Sequence, residues 1–243
     1  PQATSRVAVF VHGLCETEAA WRLRARGSDR TDRRTYGDRL RQELDITPVH
    51  LRYNTGLHVS ENGRGLSWLL EELRSAWPVR LQELTLVGHS MGGLVARSAC
   101  HYGELEDRDW TSAVKHVFCL GTPHLGADLE KGANALGWAL GRLPETRALA
   151  KVLNARSEGI KDLRYGSCLD EDWTDCDPDG FLGDRCREFP FLPAANYYFI
   201  AARLSPDPVG RVFGDLLVRS PSSSGRGNGH GRRIPFQVEN GYE

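Results

Sequence analysis

The segment at residues 84–99, LTLVGHSMGGLVARSA, constrains the fold of this chain more than any other part of the sequence. Its aliphatic and β-branched residues end abruptly in Gly-His-Ser-Met-Gly-Gly, and small or apolar residues suited to a helix follow. A short apolar run of this kind is typical of a strand that is buried on both faces of a parallel sheet. The segment therefore predicts a buried strand that turns through glycines directly into a helix.

Strand-like and helix-like patterns alternate on both sides of this segment. We predict strands over residues 6–13, 49–53, 84–87, 114–120 and 196–204. We predict helices over residues 36–44, 64–77 and 91–102. In the second helix an apolar stripe faces the sheet and consists of Leu66, Leu69, Leu70, Leu73 and Trp77. The alternation predicts the fold class α/β, with a mostly parallel sheet that is flanked by helices.

The composition of the chain indicates what kind of molecule it binds. The chain has 243 residues and a formal net charge of −1, which is typical of a single globular domain. Its basic residues are scattered, so we expect a small-molecule partner and no nucleic acid. No apolar run approaches the roughly 20 residues that span a bilayer, so no transmembrane segment is predicted. Pro1 begins the chain without a signal-like segment, as expected of a processed chain or a piece of a longer one. The sequence does not indicate an oligomeric state.

Six cysteines are present, and none has the C-x-x-C spacing of a zinc or redox site. Three lie in predicted core elements, where a thiol usually packs as a small apolar group: Cys15, Cys100 and Cys119. The other three share one loop in which a single disulfide could form: Cys168, Cys176 and Cys186. This odd pattern favours a reducing compartment, and so the cytoplasm, over an oxidising one.

About 70 residues separate the fourth and fifth predicted strands, which is too many for a simple crossover. We interpret residues 125–195 as a lid-like insertion over the site, after the fourth predicted strand. Within it, Asp175, Asp177 and Asp179 match the start of a calcium loop. The twelfth position of that loop holds Cys186 in place of a bidentate glutamate, so a solvated acidic turn is favoured and no metal is assigned.

Ser90 lies between Gly88 and Gly92, at the point where the predicted strand becomes a helix. A serine in this position is typical of a nucleophile elbow, whose hydroxyl is exposed at the carboxyl edge of the sheet. The N-terminus of the following helix favours a developing oxyanion. The alternative is a chance G-x-S-x-G in a glycine-rich loop. A second glycine turn, at His12 and Gly13 after another buried strand, favours the nucleophile.

Oxyanion donors can be assigned from the same pattern. One N–H comes from the residue after the nucleophile and the other from the loop after an earlier strand, which predicts Met91 and Leu14. His12 precedes that loop, and we expect it to brace the loop rather than to act as a base. We expect a packing role for His89, and loop bracing rather than substrate contact for His124.

The motifs VFVHGL, GHSMGG, LGTPHLGA and GDLLV make the chain resemble the lipase and esterase branch of the α/β-hydrolases. The similarity is particularly to bacterial relatives of triacylglycerol lipases and of GPI inositol-deacylases, and it covers residues 7–218. It implies an α/β-hydrolase fold with Ser90 as the nucleophile and the N–H groups of Leu14 and Met91 as oxyanion donors. It also implies that Asp215 is the carboxylate of the triad.

A serine hydroxyl needs a histidine to accept its proton and a carboxylate to hold that histidine. In this fold the catalytic residues follow the chain order serine, acid, histidine, and Asp215 fits the position of the acid. The alternative is that Asp215 is a solvated loop aspartate. Asp207 is the second candidate for the acid. His230 alone follows Asp215. The resemblance instead implies a histidine after one more strand. We therefore expect the chain to be C-terminally incomplete, with that histidine beyond Glu243, while His230 is the candidate base within it.

Together these features predict a carboxylic ester hydrolase that works through an acyl-enzyme intermediate. A small-molecule ester or lipid is the expected substrate, on the resemblance alone, and no cofactor is expected. Two alternatives stay open at this point. The chain could be a non-catalytic binding domain, or an inactive fragment that lacks its histidine. It could also be an acyltransferase that uses the same serine to pass the acyl group to an alcohol.

Overall fold

The computed structural model describes residues 2–22, 34–124, 157–174, 187, 189–200 and 241–242. Six strands form one sheet in which every neighbouring pair is parallel. They are β1 Arg6–Val11, β2 Thr47–His50, β3 Glu83–His89, β4 Val114–Leu120, β5 Asn196–Ile200 and β6 Gly241–Tyr242. The α-helices of the described residues are α1 Tyr36–Leu44, α2 Val59–Ala76, α3 Met91–Leu105 and α4 Glu158–Tyr165. Short 3-10 helices occupy Glu18–Arg22, Asp109–Ala113 and Asp170–Asp172.

The strand order β2-β1-β3-β4-β5-β6 contains one reversal. After β1 the chain adds β2 on one side, and it then adds β3 and the later strands on the other side. Such a reversal opens a crevice between the carboxyl ends of the two strands that flank it, here β1 and β3. Val11 is the parallel partner of Gly88, so the segments that follow these two strands begin side by side.

The core has two layers because side chains of β1 alternate between the faces of the sheet. Val7, Val9 and Val11 belong to the larger cluster, which includes the buried faces of α2 and α3. Ala8 and Phe10 belong to the smaller cluster on the side of α1. Since β1 is buried on both faces, it provides a rigid base for the turn that follows it.

The predicted fold class is confirmed, and α1 has the predicted bounds. Helix α2 begins at Val59 rather than at residue 64, because two carboxylates satisfy its first N–H groups. Glu61 accepts the His58 N–H at 3.0 Å and Asp162 accepts the Val59 N–H at 2.7 Å. The prediction for Leu69 is wrong, since it is 40% exposed. It lies at the margin of the apolar stripe, about 60° around the helix from Leu66.

Two of the three cysteines expected in the core, Cys100 and Cys119, are buried as predicted. The prediction for Cys15 is wrong, because its side chain is exposed on a turn where its φ is +58°. Cys168 is buried, whereas Cys176 and Cys186 lie outside the described residues, so the disulfide remains a prediction.

Much of the predicted insertion at 125–195 also lies outside the described residues, including the acidic loop with Asp175, Asp177 and Asp179. Helix α4 and the 3-10 helix Asp170–Asp172 are described parts of it. The lid itself therefore stays a prediction. Across the described part of the chain, none of the helices combines the length and the apolar character needed to span a membrane.

Candidate active site

The turn at residues 88–93, which we call the serine turn, joins β3 to α3. Ser90 has φ +51° and ψ −120°, a conformation that side-chain-bearing residues rarely adopt and that costs about 1–3 kcal/mol. Its N–H donates to the Leu120 carbonyl of β4 at 2.8 Å, and its carbonyl accepts the Gly93 N–H at 3.1 Å. Main-chain hydrogen bonds from two directions therefore hold Ser90 in the strained conformation.

Two glycines make the serine turn sterically feasible. A Cβ at Gly88 would lie 2.5 Å from backbone atoms of Gly92 and Gly93. A Cβ at Gly92 would lie 2.3 Å from the Val11 carbonyl oxygen. Both contacts are with backbone, which no side-chain rotation can relieve. The first turn of α3 thus packs directly on the carboxyl end of β1.

The turn at residues 13–16, which we call the glycine turn, follows β1. The Glu16 N–H donates to the Gly13 carbonyl at 3.2 Å, and His12 Nδ1 donates to the same oxygen at 3.0 Å. Because a trans peptide unit is planar, the N–H of Leu14 must point away from the Gly13 carbonyl oxygen. The two donors that fix the carbonyl therefore also fix the direction of the Leu14 N–H.

The glycine turn lies against the serine turn. A Cβ at Gly13 would be 3.2 Å from the Ser90 Cβ. Met91 follows Ser90 as the first residue of α3, where backbone N–H groups lack an intrahelical partner and the helix dipole is positive. The structure thus brings the three predicted residues Leu14, Ser90 and Met91 to one edge of the sheet.

His12 braces the glycine turn, as the sequence predicts. It is fully buried, and its ring stacks on Tyr53 with centroids 4.4 Å apart. The Tyr53 hydroxyl donates to the His12 carbonyl at 2.7 Å. Since Nδ1 faces a carbonyl oxygen, it carries the proton. His124 is also fully buried: Arg97 donates to its Nδ1 at 3.1 Å, which fits the predicted bracing role.

His89 does more than pack, and sequence reasoning missed its partner. Its Nδ1 lies 3.0 Å from Glu16 Oε2, and the same oxygen accepts the Gly13 N–H at 2.7 Å. Burial raises the pKa of Glu16, but the hydrogen bonds from His89 and Gly13 outweigh it and hold the pKa below its ordinary value. Glu16 is therefore an ionised bridge between the two turns.

A further wall comes from α4, which packs over the serine turn. A Cβ at Gly159 would lie 2.9 Å from the Met91 methyl group and 2.2 Å from the Thr55 carbonyl. Thr55 in turn accepts the Cys15 N–H on its hydroxyl at 3.4 Å. The segment at residues 52–64 thus contacts both the glycine turn and α4.

A buried ion pair fixes α4 to the start of α2. His58 Nδ1 lies 3.1 Å from both carboxylate oxygens of Asp162, which is 2% exposed. Burial lowers the pKa of His58, but the hydrogen bond to Asp162 outweighs this effect and raises the pKa above its ordinary value. The His58 ring also stacks on Trp173 at 3.9 Å. The pair secures the wall that covers Met91.

The predicted catalytic acid and base lie outside the residues that the structure describes. Asp207, Asp215 and His230 all lie within residues 201–240, outside the described ranges. Among the described residues, no histidine hydrogen-bonds to the Ser90 hydroxyl.

A groove of about 630 Å³ lies on the α1 face of the sheet, lined by Phe10 and other apolar residues. It is lined by none of Leu14, Ser90 and Met91, so we do not assign it to the site.

Comparison with known proteins relates this geometry to a family. The family described as "PGAP1-like alpha/beta domain" matches residues 2–174. No curated protein matches the chain. Bacillus licheniformis lipase BlEst2 in its mature form is similar with 20% identity and a TM-score of 0.57, over 100% of this chain and 86% of that chain.

The propeptide form of the same lipase matches with 19% identity and a TM-score of 0.57, over 96% of this chain. This chain spans 47% of the length of that form. At such identities the likeness concerns the fold, and it agrees with the predicted α/β-hydrolase architecture.

Proposed function

The chain belongs to the PGAP1-like alpha/beta domain family, and from this premise we propose that it is a serine hydrolase that cleaves carboxylic esters. The predicted resemblance to the lipase and esterase branch is confirmed at the level of family and fold. One observation carries the proposal: a strained Ser90 lies beside the two backbone segments that could bind an oxyanion. Strain of this kind at a half-buried serine between a strand and a helix is typical of a nucleophile elbow.

In the proposed first step, the Ser90 oxygen attacks the carbonyl carbon of an ester while a histidine accepts the hydroxyl proton. The carbonyl oxygen becomes an oxyanion, to which the N–H groups of Leu14 and Met91 donate. Collapse of this intermediate breaks the ester bond, and the leaving alcohol takes the proton from the histidine. Water then attacks the acyl-enzyme by the same route, which releases the acid and restores Ser90.

Asp215 and His230 complete the proposed triad. Both belong to the part of the chain where the α/β-hydrolase order requires an acid followed by a histidine. In this role Asp215 would hold the imidazole tautomer that accepts the proton from Ser90. A single domain with an insertion at 125–195 is part of the same proposal, as is a small ester or lipid as the substrate.

Labelling with a fluorophosphonate probe tests the nucleophile. We expect the parent chain to be labelled, and the Ser90→Ala and His230→Ala variants to lose labelling while circular dichroism shows them folded. Ser112→Ala is the matched control, because it removes the same atom from an exposed serine whose hydroxyl donates only to the Asp109 carbonyl. A folded parent that stays unlabelled would refute the proposed activity of this chain and favour a non-catalytic binding domain or an inactive fragment that lacks its histidine.

Hydrolysis of p-nitrophenyl esters from acetate to palmitate tests the reaction class and the acyl preference. We expect release of p-nitrophenol by the parent and none by Ser90→Ala. Added alcohol distinguishes hydrolysis from acyl transfer, because a transferase would yield the new ester in place of the free acid. If His230→Ala retains parental turnover, His230 is not the base and the proposed triad is wrong.

A further inference from the structure

We propose that Glu16 and His89 are positioning residues, which lock the glycine turn to the serine turn and so aim the Leu14 N–H at the reacting carbonyl. The inference rests on the proposed function and deepens it. Neither side chain is placed as a nucleophile, a base or an oxyanion donor. Both act through the backbone of Gly13 and Leu14.

The hydrogen bonds of one carboxylate oxygen establish the link. Glu16 Oε2 accepts the Gly13 N–H at 2.7 Å and His89 Nδ1 at 3.0 Å. Gly13 begins the glycine turn, whereas His89 is the last residue of β3 and immediately precedes Ser90. The two partners of this oxygen therefore belong to the two turns that the proposed mechanism must hold in register.

The packing around Gly13 shows how little freedom this link leaves. A Cβ at Gly13 would lie 3.0 Å from Glu16 Oε2, 3.1 Å from His89 Nδ1 and 3.2 Å from the Ser90 Cβ. These three groups converge on one main-chain position. The Gly13 carbonyl is held as well, by the Glu16 N–H at 3.2 Å. With both its N–H and its carbonyl held, Gly13 transmits the position of Glu16 to the Leu14 peptide unit.

The solvent exposure of the Glu16 and His89 side chains indicates that they position the turns rather than stabilise the fold. The side chain of His89 is 45% exposed and that of Glu16 is 32% exposed. Side-chain pairs with this much solvent contact contribute little to folding stability. An oxyanion donor, by contrast, loses much of its effect when it is displaced by about 1 Å. Loss of Glu16 should therefore change turnover far more than it changes the melting temperature.

Glu18, the first residue of the 3-10 helix that follows the glycine turn, offers a matched control. It carries the same charge two residues further on, but its carboxylate pairs with Arg52 and, among the described residues, hydrogen-bonds to neither turn. Glu18→Ala therefore removes an equal charge and an equal side chain without removing the link. Glu16→Gln is the conservative variant, since its amide oxygen can still accept the Gly13 N–H.

The experiment measures kcat and KM for p-nitrophenyl butyrate in the parent and these variants. For Glu16→Ala we expect kcat to fall about 10- to 100-fold with KM within about twofold, because an oxyanion donor acts in the transition state. Glu16→Gln should lie between Glu16→Ala and the parent, and Glu18→Ala should match the parent. The melting temperature of Glu16→Ala should fall by no more than about 4 °C.

A second readout tests the link without any turnover. In the Ser90→Ala background, amide hydrogen exchange at Gly13 should be faster after Glu16→Ala and unchanged after Glu18→Ala, because Glu16 accepts the hydrogen bond from that N–H and Glu18 does not.

The outcomes separate the two proposals. An active parent whose Glu16→Ala variant keeps parental kcat refutes the positioning role alone, as does equal loss in Glu16→Ala and Glu18→Ala. Unchanged exchange at Gly13 refutes the hydrogen-bonded link. A folded parent with neither labelling nor turnover refutes the proposed function, and this inference with it.

Discussion

Gly92 is the position where a single methyl group should disturb the candidate site most directly. In Gly92→Ala the new Cβ would lie 2.3 Å from the Val11 carbonyl oxygen and 2.6 Å from that of His12. A carbon and an oxygen normally approach no closer than about 3.3 Å. The start of α3 must therefore move away from β1 by about 1 Å, since both contacts are with backbone.

That displacement sets the expected magnitudes. Overpacking that forces backbone shifts costs about 1–3 kcal/mol of unfolding free energy. The same movement carries the Met91 N–H and Ser90 away from the glycine turn, and a misplacement of about 1 Å costs on the order of 100-fold in rate. Urea unfolding followed by circular dichroism measures the first effect, and kcat for p-nitrophenyl butyrate measures the second.

Gly65 provides the control, because it lies in α2 and a Cβ there would meet nothing within 4 Å. Gly65→Ala should raise the unfolding free energy by about 0.5–1 kcal/mol through helix propensity, and it should leave kcat unchanged. If Gly92→Ala unfolds at the parental urea concentration and retains parental kcat, the argument from close backbone approach is refuted.

Two further predictions concern the supports of the site. The bond to Asp162 raises the pKa of His58 in the folded state, so protonated His58 stabilises the fold. This stabilisation is complete below the unfolded-state pKa of about 6.5. It is lost as the pH rises through the folded-state pKa. Urea unfolding from pH 6 to pH 9 should therefore show the excess stability of the parent over His58→Gln shrinking with rising pH, and a constant difference would contradict the pairing. Tyr53→Phe removes the hydrogen bond to the His12 carbonyl and should lower the unfolding free energy by about 1 kcal/mol, measured by the same urea assay. A decrease smaller than the error of that assay would show that solvent replaces the bond.

The serine turn could be predicted from sequence because its determinants are local. Gly88, Ser90 and Gly92 lie within five positions, and the apolar run before them and the small residues after them specify strand and helix independently. The α/β alternation follows from the same local periodicity. The strand order puts β1 beside β3 in parallel, so the two turns that follow these strands lie at one edge of the sheet.

The side-chain contacts that hold the site together could not be predicted in the same way, because they join segments that are distant in the sequence. Glu16 and His89 are 73 residues apart, and His58 and Asp162 are 104 residues apart. No periodicity connects such pairs. Asp162 also explains why α2 starts earlier than its apolar stripe indicates, since its carboxylate satisfies an N–H that sequence reasoning leaves without a partner.

The hydrogen bond from the Ser90 N–H to the Leu120 carbonyl has a consequence for the order of folding. Leu120 is the last residue of β4, which follows α3 along the chain and pairs with β3 in the sheet. Before that pairing nothing from β4 opposes relaxation of the strained serine. The conformation that makes Ser90 a candidate nucleophile should thus arise late, as a product of long-range strand assembly. An isolated peptide spanning β3 and α3 should then keep its helix-forming tendency and yet lack the nucleophile geometry.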